Sequence, residues 1–108
     1  MEGRVISMRF QKVAGSSHPS YIVNGWDGEE QYYIYTMWDE KQQKVQGYEI
    51  YEINGCYQKL GTVDRTGQFA GYGAFANQAM LKENDDLIEI VKFCKREVIG
   101  IRKLESVA

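Results

Sequence analysis

His18 is the single histidine of the chain, set in the polar run Gly15-Ser16-Ser17-His18-Pro19-Ser20. An imidazole titrates near neutrality, so it is the first group to weigh as a general base, with an adjacent serine as nucleophile. Catalytic triads, however, draw their members from separated segments that converge in space. Residues this close in sequence rarely face one another productively. A small hydrolase around His18 and nearby acids is therefore ranked third, behind two binding functions, and no catalytic residue is assigned.

The remaining chemistry-bearing groups point the same way. Asp27, Glu29, Glu30, Asp39, Glu40, Glu49 and Glu52 crowd one stretch, and a paired-carboxylate hydrolase needs two of them about 5 to 9 Å apart in a cleft. Glu49 and Glu52 have opposite parity on one strand, so they point to opposite faces. Most of the others fall in turns and read as a solvated rim. Cys56 follows a turn and Cys94 lies in an apolar run. Both read as small buried hydrophobes, and no Cys-x-x-Cys or His-x-x-x-His spacing indicates a metal site. Gly71-Tyr72-Gly73-Ala74-Phe75-Ala76 matches Gly-x-Gly-x-x-Ala. A dinucleotide fold needs that motif straight after a strand and within βαβ units of about 30 residues each. Here an antiparallel hairpin precedes it, so it reads as a loop that lets aromatic rings pack. No cofactor and no metal are expected.

The aromatic residues are the unusual set. Tyr32, Tyr33, Tyr35, Trp38, Tyr48, Tyr51 and Tyr57 come from three consecutive strand-like segments. On residues 31–38, Tyr33, Tyr35 and Met37 alternate with Tyr32, Ile34, Thr36 and Trp38. A domain of this size has too small an interior to bury both sets. Exposed tyrosine and tryptophan serve as anchors at protein interfaces and as platforms for sugars or single-stranded bases. Base stacking comes with a basic groove. Residues 26–52 instead hold seven acids against Lys41 and Lys44, a local balance of −5. The leading expectation is a non-enzymatic module that binds a protein partner or self-associates through these seven residues. The alternative is a small-ligand or glycan-binding domain using the same rings.

The elements that must position them are mostly strands. Ile6, Met8 and Phe10 alternate with Ser7, Arg9 and Gln11, the period of a half-buried strand over residues 4–14. A short strand at Tyr21-Ile22-Val23 leads to turns at Asn24-Gly25 and Asp27-Gly28. Residues 31–38 form a strand, and Asp39 to Lys44 reverse it. Asn54-Gly55 between two strand-like runs is a strong hairpin signal. A two-residue loop would pair Ile53 with Cys56, Tyr51 with Gln58 and Tyr48 with Gly61, laying a ring over a bare glycine. Residues 74–83 read as one short helix, with Tyr72, Phe75, Ala76, Ala79 and Met80 along a stripe.

Residues 87–104 fit two patterns. As a helix, Asp86 caps it and Leu87, Val91, Cys94 and Val98 form a stripe. As a strand pair, Ile88, Ile90, Val91, Ile99 and Ile101 favour a sheet, and Gly100 would cost a helix about 1 kcal/mol. The strand pair is the preferred reading. The fold expected is thus mainly β, a small antiparallel barrel or sandwich with one short helix; the alternative is α+β with a longer C-terminal helix.

Composition sets the outer bounds. The chain has 108 residues, 44% hydrophobic and 26% charged, which suits one globular domain over residues 1–108. Lys and Arg number 13 against 15 Asp and Glu, a formal net charge of −2, which argues against a nucleic-acid partner. No apolar run approaches the roughly 18 residues of a membrane span. Neither an N-terminal signal-like stretch nor a disulfide framework is evident, so a soluble protein of the cytoplasm is expected.

Overall fold

The computed structural model describes residues 8–13 and 19–106. Six strands run in chain order: β1 (Phe10–Lys12), β2 (Tyr21–Asn24), β3 (Gln31–Asp39), β4 (Lys44–Ile53), β5 (Tyr57–Asp64) and β6 (Phe69–Gly71). They form one antiparallel sheet in the order β1-β2-β3-β4-β5-β6, so every strand pairs with its neighbour in sequence. A short 3-10 helix at Gly73–Ala76 and helix α1 (Gln78–Lys82) lead into helix α2 (Asp85–Ser106). Mainly antiparallel β structure is what the composition indicates. The sheet, however, is open: among the described residues it closes into no barrel and has no second sheet against it.

Residues 87–104 lie in α2, which overturns the strand-pair reading. Leu87, Ile90, Val91, Cys94 and Val98 are all buried. At helical spacing they share one stripe, whereas alternation along strands would split them between two faces. The sheet supplies the reason the stripe wins. Tyr21, Val23, Tyr32, Ile34, Tyr48, Ile50 and Val63 are buried together with it in a single core, and only a long helix can cover so many strands at once. Tertiary burial thus overrides the β preference of the isoleucines and valines. The cap also differs from expectation. Asn84, not Asp86, accepts the Leu87 N–H at 2.9 Å, and Asp85 and Asp86 occupy the first turn, where negative charge suits the helix dipole.

The single helix expected over 74–83 is divided in two. Asn77 is extended and its side chain caps α1 by accepting from the Ala79 N–H. The expected stripe is broken there, and Ala76, Ala79 and Met80 are exposed while Phe75 and Leu81 pack on the core.

The β4–β5 hairpin forms where the Asn-Gly pair places it, with a different register. Its loop is the three residues Asn54-Gly55-Cys56, closed by an Asn54 N–H to Cys56 carbonyl bond of 2.9 Å, with Gly55 at φ 74°. Ile53 consequently faces Tyr57, Tyr51 faces Lys59 and Tyr48 faces Val63, with a bulge between Ile50 and Tyr51. Gly61 does lie beneath an aromatic ring, but the ring belongs to Phe69 on the next strand rather than to Tyr48. Of the N-terminal strand expected over residues 4–14, Phe10–Lys12 is strand, and residues 4–7 and 14 lie outside the described residues.

Gly100 sits in the interior of α2, exposed, with nothing within 4 Å of where a Cβ would go. Gly100→Ala should therefore stabilise the fold by about 0.5–1 kcal/mol, by removing backbone entropy from the unfolded chain. Urea unfolding of the two proteins measures this, and an unchanged or lower midpoint would contradict the helical placement of residue 100.

Candidate functional site

Helix α2 covers one side of the sheet, and among the described residues no helix or strand lies over the other. Strand parity decides which they are. On β3, Tyr32, Ile34 and Thr36 point to the helix, and Tyr33, Tyr35 and Met37 point away. The register sets Tyr33 opposite Tyr51, Tyr51 opposite Lys59, Tyr35 opposite Glu49 and Ile53 opposite Tyr57. Four tyrosines thus meet on the outer face.

Ring contacts join three of them, Tyr33, Tyr51 and Tyr57, and Tyr35 stands beside them opposite Glu49. The Tyr57 ring stands edge-on to Tyr33, with centroids 5.6 Å apart, and to Tyr51 at 6.3 Å. Edge-to-face packing is favoured because the positive rim of one ring meets the negative face of the other. The Tyr51 hydroxyl donates to Glu49 at 3.0 Å, and the Lys59 ammonium bonds the second Glu49 oxygen at 3.0 Å. The same ammonium lies 5.6 Å from the centroid of the Tyr72 ring, within range of a cation–π contact. Partial burial, then the bond to Glu49, raises the Tyr51 pKa, while the Glu49 bond raises that of Lys59. Tyr35, Tyr57 and Tyr72 are 45%, 60% and 62% exposed. Roughly half or more of each ring is therefore available to a partner.

The seven aromatic residues singled out from the sequence divide as follows. Tyr33, Tyr35, Tyr51 and Tyr57 share the outer face. Tyr32 and Tyr48 are 3% and 2% exposed and belong to the core, so they drop out of the outer-face surface. Trp38 is half-buried at the far end of β3, beyond a bulge, and pairs with Val45. The sequence reading missed Tyr72, assigned to a helical stripe, and Lys59, placed by the two-residue loop away from Tyr51. Parity would have found Tyr72: Ala70 and Tyr72 alternate with Gly71, which faces Gly61.

The other chemistry-bearing groups are scattered. His18, Ser16 and Ser17 lie outside the described residues. Ser20 is buried near the amide of Thr36, whose hydroxyl donates to the Pro19 carbonyl. Cys94 is buried, which pushes its thiol pKa far up and leaves it unreactive, but Cys56 is exposed, contrary to expectation. Glu49 and Glu52 take opposite faces as their parity requires. Gly71 is packed against the Phe75 carbonyl, where a Cβ would have no room, while Gly73 stands in open space at φ 62°, so one glycine of this motif serves packing and the other a left-handed backbone turn. No three acidic, cysteine or histidine side chains among the described residues are placed to hold a metal ion.

A cavity of about 610 Å³ opens on the opposite side, between the β2–β3 turn and the start of α2. Trp26, Tyr32, Phe75 and Met80 form its apolar wall, and carboxylates including Glu30, Glu52, Glu83 and Asp86 line it. Lost hydration and the charge of Asp27 raise the pKa of Glu30. Asp86 has a structural task here: it accepts the Trp26 N–H at 2.9 Å and the Tyr32 hydroxyl at 2.8 Å, fastening turn and strand to the helix. Comparison with protein-family models, with curated proteins and with solved structures returns no match for this chain.

The buried tyrosines set an alkaline limit on stability. Burial, then the charge of Glu97 and the 3.2 Å bond donated to it, pushes the Tyr21 hydroxyl from 10.0 up to about 12. Burial raises Tyr32 and Tyr48 as well. A pKa raised by folding means stability is full below pH 10 and is lost as pH rises between 10 and about 12, because the unfolded chain releases these protons first. Urea unfolding across that range should show the decline, and Tyr21→Phe should reduce its slope. A flat profile would show that these hydroxyls ionise without resistance in the fold.

Proposed function

We propose that the chain is a non-enzymatic interaction module that takes a protein surface on its outer sheet face, with a second copy of the chain as the first occupant to test. The observation that supports this reading is the group of Tyr33, Tyr35, Tyr51 and Tyr57 on a sheet face that no helix among the described residues covers. Tyrosine is enriched at interfaces because it offers a large apolar ring at little entropic cost and a hydroxyl that tolerates water. The face is also internally neutralised by the Glu49–Lys59 pair at 3.0 Å, so two copies meeting there bring no uncompensated like charge together. The acidic balance around these strands disfavours nucleic acid.

No helix among the described residues is long and apolar enough to cross a membrane. Two unpaired thiols, one of them exposed, suit a reducing compartment, and we place the protein in the cytoplasm on that ground. The second reading is a glycan or other small ligand stacked on the same rings, supported by the exposure of Tyr35 and Tyr57.

Light scattering on a size-exclusion column, at low and high salt, tests the proposal. The expected result is a dimer that survives high salt, because ring burial is not screened. Tyr35→Ser with Tyr57→Ser should weaken it by at least about tenfold while the protein stays folded, its stability lowered by about 1–3 kcal/mol through the lost ring contacts of Tyr57. A monomer at both salts excludes the second copy. If a photocrosslinking residue at position 35 then traps no protein in the native cells, the interaction reading fails and titration with glycans decides the alternative.

A further inference from the structure

Three places in the chain set a glycine after a side chain that can cyclise onto its backbone nitrogen: Asn24-Gly25, Asp27-Gly28 and Asn54-Gly55. The reaction needs that nitrogen as nucleophile and needs the backbone to bend toward the side chain. The fold treats the three pairs differently. The Gly25 N–H donates to the Glu30 carbonyl at 2.8 Å, and Gly25 is buried against the Asp86 carboxyl. The Gly28 N–H donates to the Gly25 carbonyl at 2.9 Å, and the Asp27 carboxyl accepts the Glu29 N–H at 2.9 Å. Neither nitrogen can attack without first breaking a hydrogen bond.

Asn54-Gly55 is open by comparison. Both residues are exposed, and nothing lies within 4 Å of the position a Cβ would occupy on Gly55. The turn's bond runs from the Asn54 N–H to Cys56 and leaves the Gly55 N–H outside it. No backbone bond from the Gly55 N–H is found among the described residues.

We propose that Asn54 is a site of spontaneous deamidation in the folded protein, and that Asn24 is protected from the same chemistry. The Gly55 nitrogen gives up its proton to solvent and attacks Cγ of Asn54. A new C–N bond forms, the bond to the side-chain nitrogen breaks, and ammonia leaves with a proton from water. Water then opens the resulting succinimide at either carbonyl. One opening leaves an aspartyl residue at position 54; the other leaves an isoaspartyl residue, which inserts a methylene into the main chain. Either product adds a negative charge to the hairpin tip. The isoaspartyl form also lengthens the loop that holds Tyr57 edge-on to Tyr33 and Tyr51, so it disturbs the tyrosine cluster from its end.

The test holds the folded protein at mildly alkaline pH and follows peptides by mass spectrometry, with fragmentation that separates aspartyl from isoaspartyl products. A parallel sample is kept unfolded in urea. In the folded sample, product at position 54 should accumulate at least about tenfold faster than at position 24, because Asn24 must wait for local opening. In urea the two rates should converge to within a few-fold, since both pairs are then Asn-Gly in a flexible chain. Asn54→Gln, which keeps an exposed amide but disfavours the five-membered ring, should abolish product at that position. Equal folded rates at the two sites, or loss from Asn24 first, would overturn the proposal. So would an Asn54 rate about tenfold slower in the folded sample than in urea, because that would show the turn protects it.

Discussion

One docking contact governs this molecule: the apolar stripe of a single long helix laid across one side of an open six-stranded sheet. Leu87, Ile90, Val91, Cys94 and Val98 meet Tyr21, Val23, Tyr32, Ile34, Tyr48, Ile50 and Val63 in one core. A sheet has two sides, and among the described residues the helix covers one. Everything that distinguishes the outer face follows from that asymmetry, including why Tyr33 and Tyr35 meet water while Tyr32, their neighbour in sequence, does not. Polar ties hold the helix in place at points along its length. Asp86 grips Trp26 and Tyr32 near its start, and Glu97 receives the Tyr21 hydroxyl further along. Phe93, between them, stacks on Phe10 with centroids 4.0 Å apart and meets Tyr21 edge-on.

How much of this could be read from residues alone depends on the range of the interaction that decides each element. Strands β3, β4 and β5 were legible because alternation and the Asn-Gly turn are local signals. The hairpin register was less so. Whether Asn54-Gly55 closes a loop of two residues or three turns on backbone angles that composition does not encode, and the bulge at Ile50/Tyr51 then shifts the pairing again. Residues 87–104 were misread for a different reason. Their isoleucines and valines suit a sheet locally, and only the need to cover the inner side of β2 to β5 selects the helix. That need is a property of the whole assembled sheet.

The candidate surface shows the same division. Parity on residues 31–38 separated Tyr33 and Tyr35 from Tyr32 correctly, but nothing local says which set is the inner one. The answer awaits the position of the helix. Tyr48 was lost to the core by the same uncertainty. Lys59 joined the surface through a pairing that the sequence alone does not specify, whereas Tyr72 follows from alternation once Phe69–Gly71 is taken as a strand.

The topology also constrains the order in which the protein can mature. Every strand pairs with the strand just before it in the chain, so each hairpin can close over a short loop as soon as its second strand is available, and such local pairings form fast. Helix α2 comes after all six strands. On a ribosome the sheet can therefore assemble early, yet its inner side stays uncovered until the helix emerges. During that interval Ile34, Ile50 and Val23 are exposed to whatever else is nearby, the condition in which nascent chains aggregate or recruit chaperones. A fold that is quick to pair its strands is, by the same connectivity, late to hide them.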